Sequence, residues 1–340
     1  MSPAPCSTRR STRHWRRSLR GAGRSSSSTR AVPPPADFTS TVLIAVTGAT
    51  GFVGRHVATL LARRGHRVRA LVRNPVRAEA LHNVSVELVA GDLSDLGALA
   101  VLTRDAAAIV HLVGIIVPSG RATFQGVHVD GTRHLLTAAR EARVPRFVHM
   151  SAIGARGGRD ATPYHRTKWE GEELVRASGL SYAIFRPSII TGPESVPIRT
   201  LARLHRWSPV VPVFGDGRFP TQPVWVDDVA LAFALAAENT RFTGAFELGG
   251  PTPIAYETFV RAIGRAAGHP RPLVHLPLAL ARLAAGVFDL LGPAAPLTSD
   301  QLQMLVEGAA TPANAIESVF GIRPLPFEQG LERYLSRRNG

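Results

Sequence analysis

The sequence contains one cysteine and one lysine among its 340 residues. Because Cys6 stands alone, an intramolecular disulfide framework and a cysteine-based metal site are both excluded. Cations are otherwise supplied by arginine, of which the chain has 39. Lys168 is the single exception, which points to a position where a compact ammonium does something that a guanidinium cannot do.

Acidic residues are also scarce, and the formal net charge is +15. Residues 1–40 carry eight arginines and one aspartate, so the tail supplies nearly half of this charge. The rest of the chain has no basic helix with interleaved aromatic residues and no zinc-finger or RNP-like spacing. We therefore expect no nucleic-acid partner. His111, His128, His134 and His149 fall on core elements without metal-ligand spacing, so we expect no metal site either.

Residues 1–40 predict a disordered basic leader, rich in arginine and serine and without the apolar stretch of a secretory signal. The composition of residues 1–38 also fits a mitochondrial or plastid transit peptide. Because the arginine bias continues through the body, composition favours a leader without a targeting role. That interpretation predicts a cytoplasmic protein.

From residue 41 onward, short apolar runs alternate with helical patterns. The runs "TVLIAV", "HRVRALVR", "VSVELVA", "AAIVHLV", "RFVHMSA" and "SYAIFRP" each have the length and burial pattern of a parallel strand. This alternation predicts the α/β class, with a doubly wound parallel sheet of the Rossmann type over residues 41–191. Residues 192–340 predict a smaller, partly interleaved substrate region, whose strand "GAFELGG" returns to the sheet.

The first strand runs into the glycine pattern "GATGFVG". Glycine permits a tight turn, lets backbone N–H groups approach a pyrophosphate, and allows the following helix to pack closely. The helix also presents its positive N-terminus to the phosphates. The pattern predicts cofactor contacts from Gly48, Thr50, Gly51, Phe52, Val53 and Gly54.

The end of the second strand predicts which dinucleotide is bound. A site for NAD places Asp or Glu there to hold the ribose 2′-hydroxyl, whereas this chain has Arg73-Asn74. Arg55 follows the last glycine, and two guanidinium groups favour a 2′-phosphate. We therefore expect NADP(H), with NAD(H) as the alternative. Asp92, after the third strand, either accepts a hydrogen bond from the adenine or caps a helix.

Tyr164 and Lys168 are four residues apart, so on a helix they share one face. Thr162 can cap that helix, and Pro163 suits its first turn. An ammonium beside a phenol lowers the pKa of the phenol and can donate to the nicotinamide ribose. Ser151, after the fifth strand, is placed to orient a substrate oxygen. The three residues predict acid–base catalysis coupled to hydride transfer.

The phrases "TGATGFVG", "GDL", "FRPSII" and the Ser151, Tyr164 and Lys168 set resemble the extended or atypical short-chain dehydrogenase/reductases. "HLVGI", "FGDGRFPTQPVWVDDVA" and "FGIRPLPFEQGLERYL" narrow the resemblance. These phrases make the chain similar to one group within that superfamily, the nucleotide-binding accessory subunit of respiratory complex I and its bacterial relatives. The resemblance covers residues from about 41 to the C-terminus.

The resemblance implies positions for the whole cofactor. It puts the three glycines and Arg55 on the phosphates, Arg73 at the 2′-phosphate, and Asp92 with Leu93 at the adenine. The nicotinamide end is assigned to Tyr164, Lys168, Pro187 and Ser188, and Val113 and Gly114 are expected as further cofactor contacts. It also implies a respiratory complex or a membrane surface, at the periphery of the inner membrane, as a partner. There a bound nucleotide serves assembly more than turnover.

Three functions follow from these patterns. The first is an NADP(H)-dependent oxidoreductase acting on a small molecule that no motif identifies. The second is a non-catalytic accessory or assembly protein, and the third is a sugar-nucleotide epimerase or dehydratase. "HLVG" after the fourth strand departs from the Asn-rich or Ala-Gly phrase of many epimerases. Arg73 also argues against the retained NAD that an epimerase uses.

Two segments of the C-terminal region have a second interpretation. The apolar segment 277–292 is too short and too charged to span a bilayer, so it predicts a helix packed on the core. The alternative is a helix resting on a membrane surface or on a partner. A basic group in the substrate region predicts either a solvated face or contacts to an anionic ligand; it comprises Arg199, Arg203, His205, Arg206 and Trp207.

Overall fold

Seven parallel strands form the centre of the protein. The structure is a computed structural model that describes residues 41–78, 81, 84, 86–295 and 297–335. The predicted leader, residues 1–40, lies outside the described residues. The strands of the sheet are β1 Leu43–Thr47, β2 Arg67–Val72, β3 Val86–Ala90, β4 Ala108–His111, β5 Arg146–Met150, β6 Ser181–Pro187 and β11 Gly244–Leu248.

The strand order is β11-β6-β5-β4-β1-β2-β3, and every pair is parallel. Its two halves wind outward from β1 and β4, which lie side by side with Ile44 opposite Ala108. The predicted doubly wound sheet is therefore confirmed. Loops at the carboxyl ends of β1 and β4 diverge at this point, which is where such sheets bind ligands.

Six shorter strands lie outside the central sheet and pair two by two, as β10 with β7, β12 with β9 and β13 with β8. They are β7 Ile190–Thr191, β8 Val211–Phe214, β9 Pro220–Thr221, β10 Val224–Trp225, β12 Ile254–Ala255 and β13 Leu273–Leu276.

Helices cover both faces of the sheet and build most of the C-terminal region. The α-helices are α1 Phe52–Arg63, α2 Leu96–Thr103, α3 Gly131–Glu141, α4 Pro163–Arg176, α5 Val196–Trp207, α6 Val226–Glu238, α7 Tyr256–Ala266, α8 Leu278–Phe288, α9 Ser299–Glu307, α10 Ala315–Ser318 and α11 Phe327–Glu332. Single 3₁₀ turns span Pro75–Arg77 and Asp289–Ala294, and a π-helical turn spans Gln125–Asp130.

Two apolar layers hold the helices on the sheet. On one face, α1 and α6 pack through a cluster that includes Val57, Leu61 and Phe233. On the other face, α2, α3 and α4 pack through Leu99, Leu135 and other buried side chains. Burying each such side chain stabilises the folded state by about 1.5–3 kcal/mol. The sheet is therefore fixed from both sides, and its carboxyl edge is held in place.

A third apolar cluster lies in the C-terminal region, where α5, α7 and β8 meet around Ile198, Val213 and Phe259. This cluster is distinct from the two layers on the sheet. Strand β11 belongs to the same stretch of sequence, yet it pairs with β6 in the central sheet, with Phe246 opposite Phe185. The C-terminal residues thus contribute to both the sheet and the separate region.

Helix α8 differs from the sequence prediction for residues 277–292. Its buried side chains are the small Ala281 and Ala285, which pack with Leu302 of α9. Several large side chains point outward: Leu283 in the helix is 69% exposed, and Leu290, just after the helix, is 86% exposed. The prediction of a helix packed on the core is therefore wrong for these residues. Among the described residues, none of the helices is long and apolar enough to cross a membrane.

Candidate nucleotide-binding and active site

The glycine turn joins β1 to α1 in the geometry that the sequence predicts. Gly48 has a φ of +76°, and a Cβ there would lie 3.0 Å from the backbone nitrogen of Val113. The N–H of Gly51 donates to the carbonyl of Gly48 at 2.9 Å. A Cβ on Gly54 would lie 2.0 Å from that same carbonyl oxygen. Glycine is required at Gly48, where φ is positive, and at Gly54, where the backbone approaches too closely for any side chain.

The remaining residues of the turn have different surroundings. Thr50 is exposed, Phe52 begins α1 and Val53 is buried in the apolar layer beneath it. No side chain caps the N-terminus of α1. The first N–H groups of the helix are thus available to an anion.

The residues assigned to the adenosine end lie after β2 and β3. Arg73 is exposed, and its charge reaches Asp92, so the two loops are adjacent. Asp92 accepts hydrogen bonds from the N–H and the hydroxyl of Ser94, which lower the pKa of the carboxyl. It does not cap α2, because Asp95 holds that position. Asn74 caps the turn at Pro75–Arg77 through the N–H of Val76.

Arg55 has a partner that the sequence analysis missed. Its guanidinium lies 3.3 Å from the carboxylate of Glu194, in the loop that follows β7. His56 on the same helix contacts Glu194 at 3.5 Å and Asp227 at 2.7 Å. These ion pairs tie the N-terminal turn of α1 to the C-terminal region. No sequence spacing could have indicated a contact over 139 positions.

Tyr164 and Lys168 lie on one face of α4, as predicted. The Thr162 hydroxyl accepts from the N–H of His165 at 3.2 Å, and Pro163 begins the helix, which confirms both expectations for its start. The ammonium of Lys168 donates to the carbonyl of Met150 at 2.8 Å. A Cβ on Gly114 would lie 3.1 Å from the same nitrogen. The helix is thereby joined to the carboxyl ends of β4 and β5.

The electrostatics of this pair differ from the prediction. Burial lowers the pKa of Lys168 to about 8, and the charge of Glu172 opposes that shift. Burial raises the pKa of Tyr164 to about 12. The predicted lowering of the tyrosine pKa is therefore not found in this geometry. The Tyr164 ring lies 6.0 Å from Phe124 and 5.6 Å from His128, edge-on to both, which accounts for its low solvation.

Ser151 is buried beside Glu172. The Ser151 hydroxyl lies close enough to the Glu172 carboxyl to help lower the pKa of that carboxyl. Within the described residues, however, it forms no well-aligned hydrogen bond. Glu172 is fully buried and accepts from Arg186 at 2.8 and 2.7 Å and from Arg176 at 2.6 Å. The sequence carried a signal for it, because Glu172 is four residues beyond Lys168 on the same face of α4.

The remaining assigned residues lie around the same edge. Leu93 contacts α3 near Gly131, and its carbonyl accepts from His134 at 2.9 Å. Pro187 ends β6, and the N–H of Ser188 donates to the carbonyl of Leu248 at 2.8 Å. The Ser188 hydroxyl donates to the carbonyl of Ala309. The glycine turn, residues 113–114, Lys168 and residues 187–188 therefore all lie at the carboxyl ends of strands.

Two buried histidines lie close enough to Lys168 to feel its charge. His111 is bonded to Thr47 at 2.7 Å and to Thr132 at 3.1 Å. His128 accepts from the N–H of Ile115 at 3.0 Å, and its other nitrogen bonds Thr167 at 2.9 Å. Both rings are hydrogen-bonded in the core, whereas neither ring nitrogen of His149 has a hydrogen-bond partner within the described residues. No cluster of potential metal ligands occurs in the described part of the chain.

The parallel sheet with its glycine turn defines a dinucleotide-binding α/β protein. Comparisons with known proteins agree with that class. The NAD(P)H-binding family model matches residues 48–208. A ceramide reductase of Caulobacter vibrioides is 34% identical over 237 residues, covering 69% of this chain and 74% of that protein.

A second relative is the mitochondrial NADH dehydrogenase [ubiquinone] 1 alpha subcomplex subunit 9 of Mus musculus. It is 30% identical over 305 residues, covering 85% of this chain and 78% of that protein. The NAD complex of UDP-glucose 4-epimerase from Thermus thermophilus has the same fold, with a TM-score of 0.67 and 21% identity over 88% of this chain and 99% of that one. The chain belongs to the NAD(P)-binding, extended short-chain dehydrogenase/reductase family, as the sequence motifs indicated.

Proposed function

We propose that the protein is an NADP(H)-dependent oxidoreductase that reduces a carbonyl group, with Tyr164 as the proton donor. The observation that carries the proposal is the position of Lys168. Its ammonium is buried at the carboxyl ends of β4 and β5, beside Gly114 and on the same helix face as Tyr164. NAD(H) is the alternative cofactor.

In this proposal, side chains of the protein carry out the proton transfer. The bound nicotinamide supplies the hydride that reduces the carbonyl carbon. With a pKa of about 12, Tyr164 is protonated at neutral pH and can donate that proton to the carbonyl oxygen. Lys168, fixed by Met150, stabilises the phenolate that remains and donates to the ribose. Solvent then returns a proton to Tyr164.

The preference for NADP(H) rests on charge at the end of β2. Arg73 is exposed there, and its charge acts on Asp92 without a salt bridge between the two among the described residues. A ribose 2′-phosphate would give it a partner through charge-assisted hydrogen bonds. Arg55 is the weaker candidate, because Glu194 already neutralises it. Ser151 acts in this scheme by supporting Glu172 behind the active site.

The decisive experiment compares the purified chain with Tyr164→Phe. NADPH oxidation is followed with ketones, quinones, oxidised lipids and nucleotide sugars as substrates. We expect a substrate-dependent rate that falls roughly 100-fold or more in Tyr164→Phe, because general acid catalysis contributes about 10²–10⁴-fold. Tyr182→Phe, on β6, is the matched control and should retain the rate. Conversion of a nucleotide sugar with retained NAD would instead support the epimerase.

A second function is favoured by α8. Leu280, Leu283, Val287, Leu290 and Leu291 are exposed in and directly after this helix, and such contiguous apolar surface marks an interaction site. With the likeness to a complex I subunit, it supports a non-catalytic accessory or assembly role at a respiratory complex or an inner-membrane surface.

This role predicts a tightly held nucleotide that stabilises the fold and never turns over. It also predicts that the chain floats with anionic vesicles, and that Leu283→Glu with Leu290→Glu abolishes flotation. If the unmodified chain neither floats nor co-purifies with a respiratory complex, the accessory role is excluded.

A further inference from the structure

A basic cavity lies between α5 and α7, apart from the nucleotide site. Its volume is about 230 Å³, and it is lined by Arg199, Ala202, Arg203, Arg206, Trp207, Ala267, His269 and Leu335. None of the lining residues is acidic. Helices α5 and α7 both contribute to the third apolar cluster, and all the lining residues come from the C-terminal region.

The cations of the cavity share one helix face. Arg199, Arg203 and Arg206 follow each other at intervals of four and three residues on α5. All three are exposed, and none of them forms a salt bridge or side-chain hydrogen bond within the described residues. Arg271 lies at the same edge, since its guanidinium donates to the carbonyl of His205 at 3.0 Å. The nearby α7 arginine, Arg265, differs in having a carboxylate partner, Glu328, at 2.8 Å.

An aromatic surface completes the cavity. Trp207 is 76% exposed, and the Arg206 guanidinium lies over its ring at 5.3 Å from the centroid. The exposed ring and the exposed guanidinium groups present an apolar and a cationic surface side by side. A ligand that carries negative charge would pair with the arginines while its apolar part covers the ring.

We propose that this cavity binds a phosphate-bearing ligand. Guanidinium groups match the geometry of phosphate oxygens and bind them in pairs. A cavity of this volume admits a small phosphorylated group, such as a diphosphate or a phosphorylated headgroup. Both sources present the same chemistry to Arg199, Arg203 and Arg206.

The test uses the full chain saturated with NADP⁺, so that the glycine turn does not contribute. Inorganic pyrophosphate is titrated by calorimetry, with the intrinsic tryptophan fluorescence of the chain as a second signal. Sedimentation with phosphatidylcholine vesicles that contain phosphatidic acid forms the other arm. We expect Arg203→Gln and Arg206→Gln each to weaken binding about tenfold or more. Arg282→Gln, an exposed arginine on α8, is the matched control and should leave binding unchanged.

The pyrophosphate titration and the vesicle sedimentation distinguish a soluble phosphorylated ligand from a lipid headgroup. Binding of pyrophosphate, lost in Arg203→Gln, supports a soluble phosphorylated ligand, and vesicle binding lost in the same variant supports a lipid headgroup. The proposal is overturned if neither probe binds, or if the two cavity variants bind as tightly as the unmodified chain. Because the comparison is between cavity variants, its outcome is independent of whether Tyr164 is catalytic.

Discussion

The ammonium of Lys168 lies 2.8 Å from the carbonyl oxygen of Met150, and the lysine is only 3% exposed. This contact joins the middle of α4 to the end of β5. A Cβ at Gly114 would already lie 3.1 Å from the nitrogen, so the site has little room for a planar guanidinium. The only lysine of the chain occupies a place that an arginine does not fit.

Lys168→Arg should therefore lose both activity and stability. Overpacking at a filled site costs about 1–3 kcal/mol. Lys168→Met should lose activity, by roughly 100-fold, yet keep its stability, because it removes a buried charge without adding bulk. Turnover with NADPH and urea unfolding of both variants check this. Equal stability of the two variants would contradict the packing argument.

Gly54→Ala should abolish nucleotide binding and lower the melting temperature. Its Cβ would lie 2.0 Å from the carbonyl oxygen of Gly48, so the turn has to open. Gly286→Ala is the matched control, since no atom lies within 4 Å of its Cβ and it sits in α8. That change should stabilise the helix by up to about 1 kcal/mol. Calorimetric scans with and without NADP⁺ measure both effects.

Arg73→Gln should change the choice of cofactor. We expect its affinity for NADPH to fall about tenfold or more, with NADH affinity unchanged, because only NADPH carries the 2′-phosphate. Arg67→Gln removes an exposed arginine from the other end of β2 and serves as the control. Dissociation constants from nucleotide fluorescence provide the measurement. Equal losses for both nucleotides would show that Arg73 does not contact the 2′-phosphate.

Glu172→Gln should be strongly destabilising. The carboxylate is fully buried, its partners Arg186 and Arg176 are partly exposed, and losing its charged hydrogen bonds costs about 1.5–3 kcal/mol. Glu173→Gln, its neighbour, changes a half-exposed partner of Arg176 and should cost less than about 1 kcal/mol. Urea unfolding compares the two. Loss of the Glu172 charge should also lower the pKa of Lys168 further and shift the pH profile of turnover.

Stability should fall as the pH drops below 6.5, the ordinary pKa of histidine. Burial lowers the pKa of His111 to about 3, that of His128 to about 2, and that of His149 well below 6.5. The unfolded chain takes up protons below about pH 6.5 while the folded rings stay neutral. In this range, each buried ring therefore lowers the free energy of unfolding by about 1.4 kcal/mol for every unit by which the pH falls.

His149→Leu isolates one of these rings. His149 is 2% exposed, and neither of its ring nitrogens has a hydrogen-bond partner in the described structure. The variant should be more stable at about pH 5.5, and its slope of unfolding free energy against pH should be smaller by about 1.4 kcal/mol per unit. Urea titrations at about pH 7 and about pH 5.5 measure the slope. An unchanged slope would show that the ring does not stay neutral.

Much of the central fold follows from local patterns. The runs that became β1 and β4 are apolar because they are buried on both faces, and the glycine pattern serves a close turn. The spacing of Tyr164 and Lys168 fixes their common helix face. These features depend on neighbours within a few residues, so the sequence contains them directly.

Other features depend on partners far away in the chain. The side chain of Ser151 lies by Glu172 because Arg186 holds that carboxylate, and Arg55 pairs with Glu194 because the loop after β7 folds back over α1. Helix α8 has the apolar composition of a core helix, but α9 covers only its alanines. Which face of a helix is buried depends on how the elements pack. When both faces of a helix are apolar, the sequence periodicity does not indicate which face that is.

By itself, the sequence determined the class of the fold, the glycine turn, the capped helix that carries Tyr164 and Lys168, and the family. Each of these follows from residue type and short spacing. Only the tertiary structure decided that burial raises the pKa of Tyr164, that Lys168 is held by Met150, and that three arginines of α5 share a cavity with Trp207. Solvation and charge pairing depend on which atoms lie close together in space. Residues far apart in the sequence become neighbours only once the chain has folded.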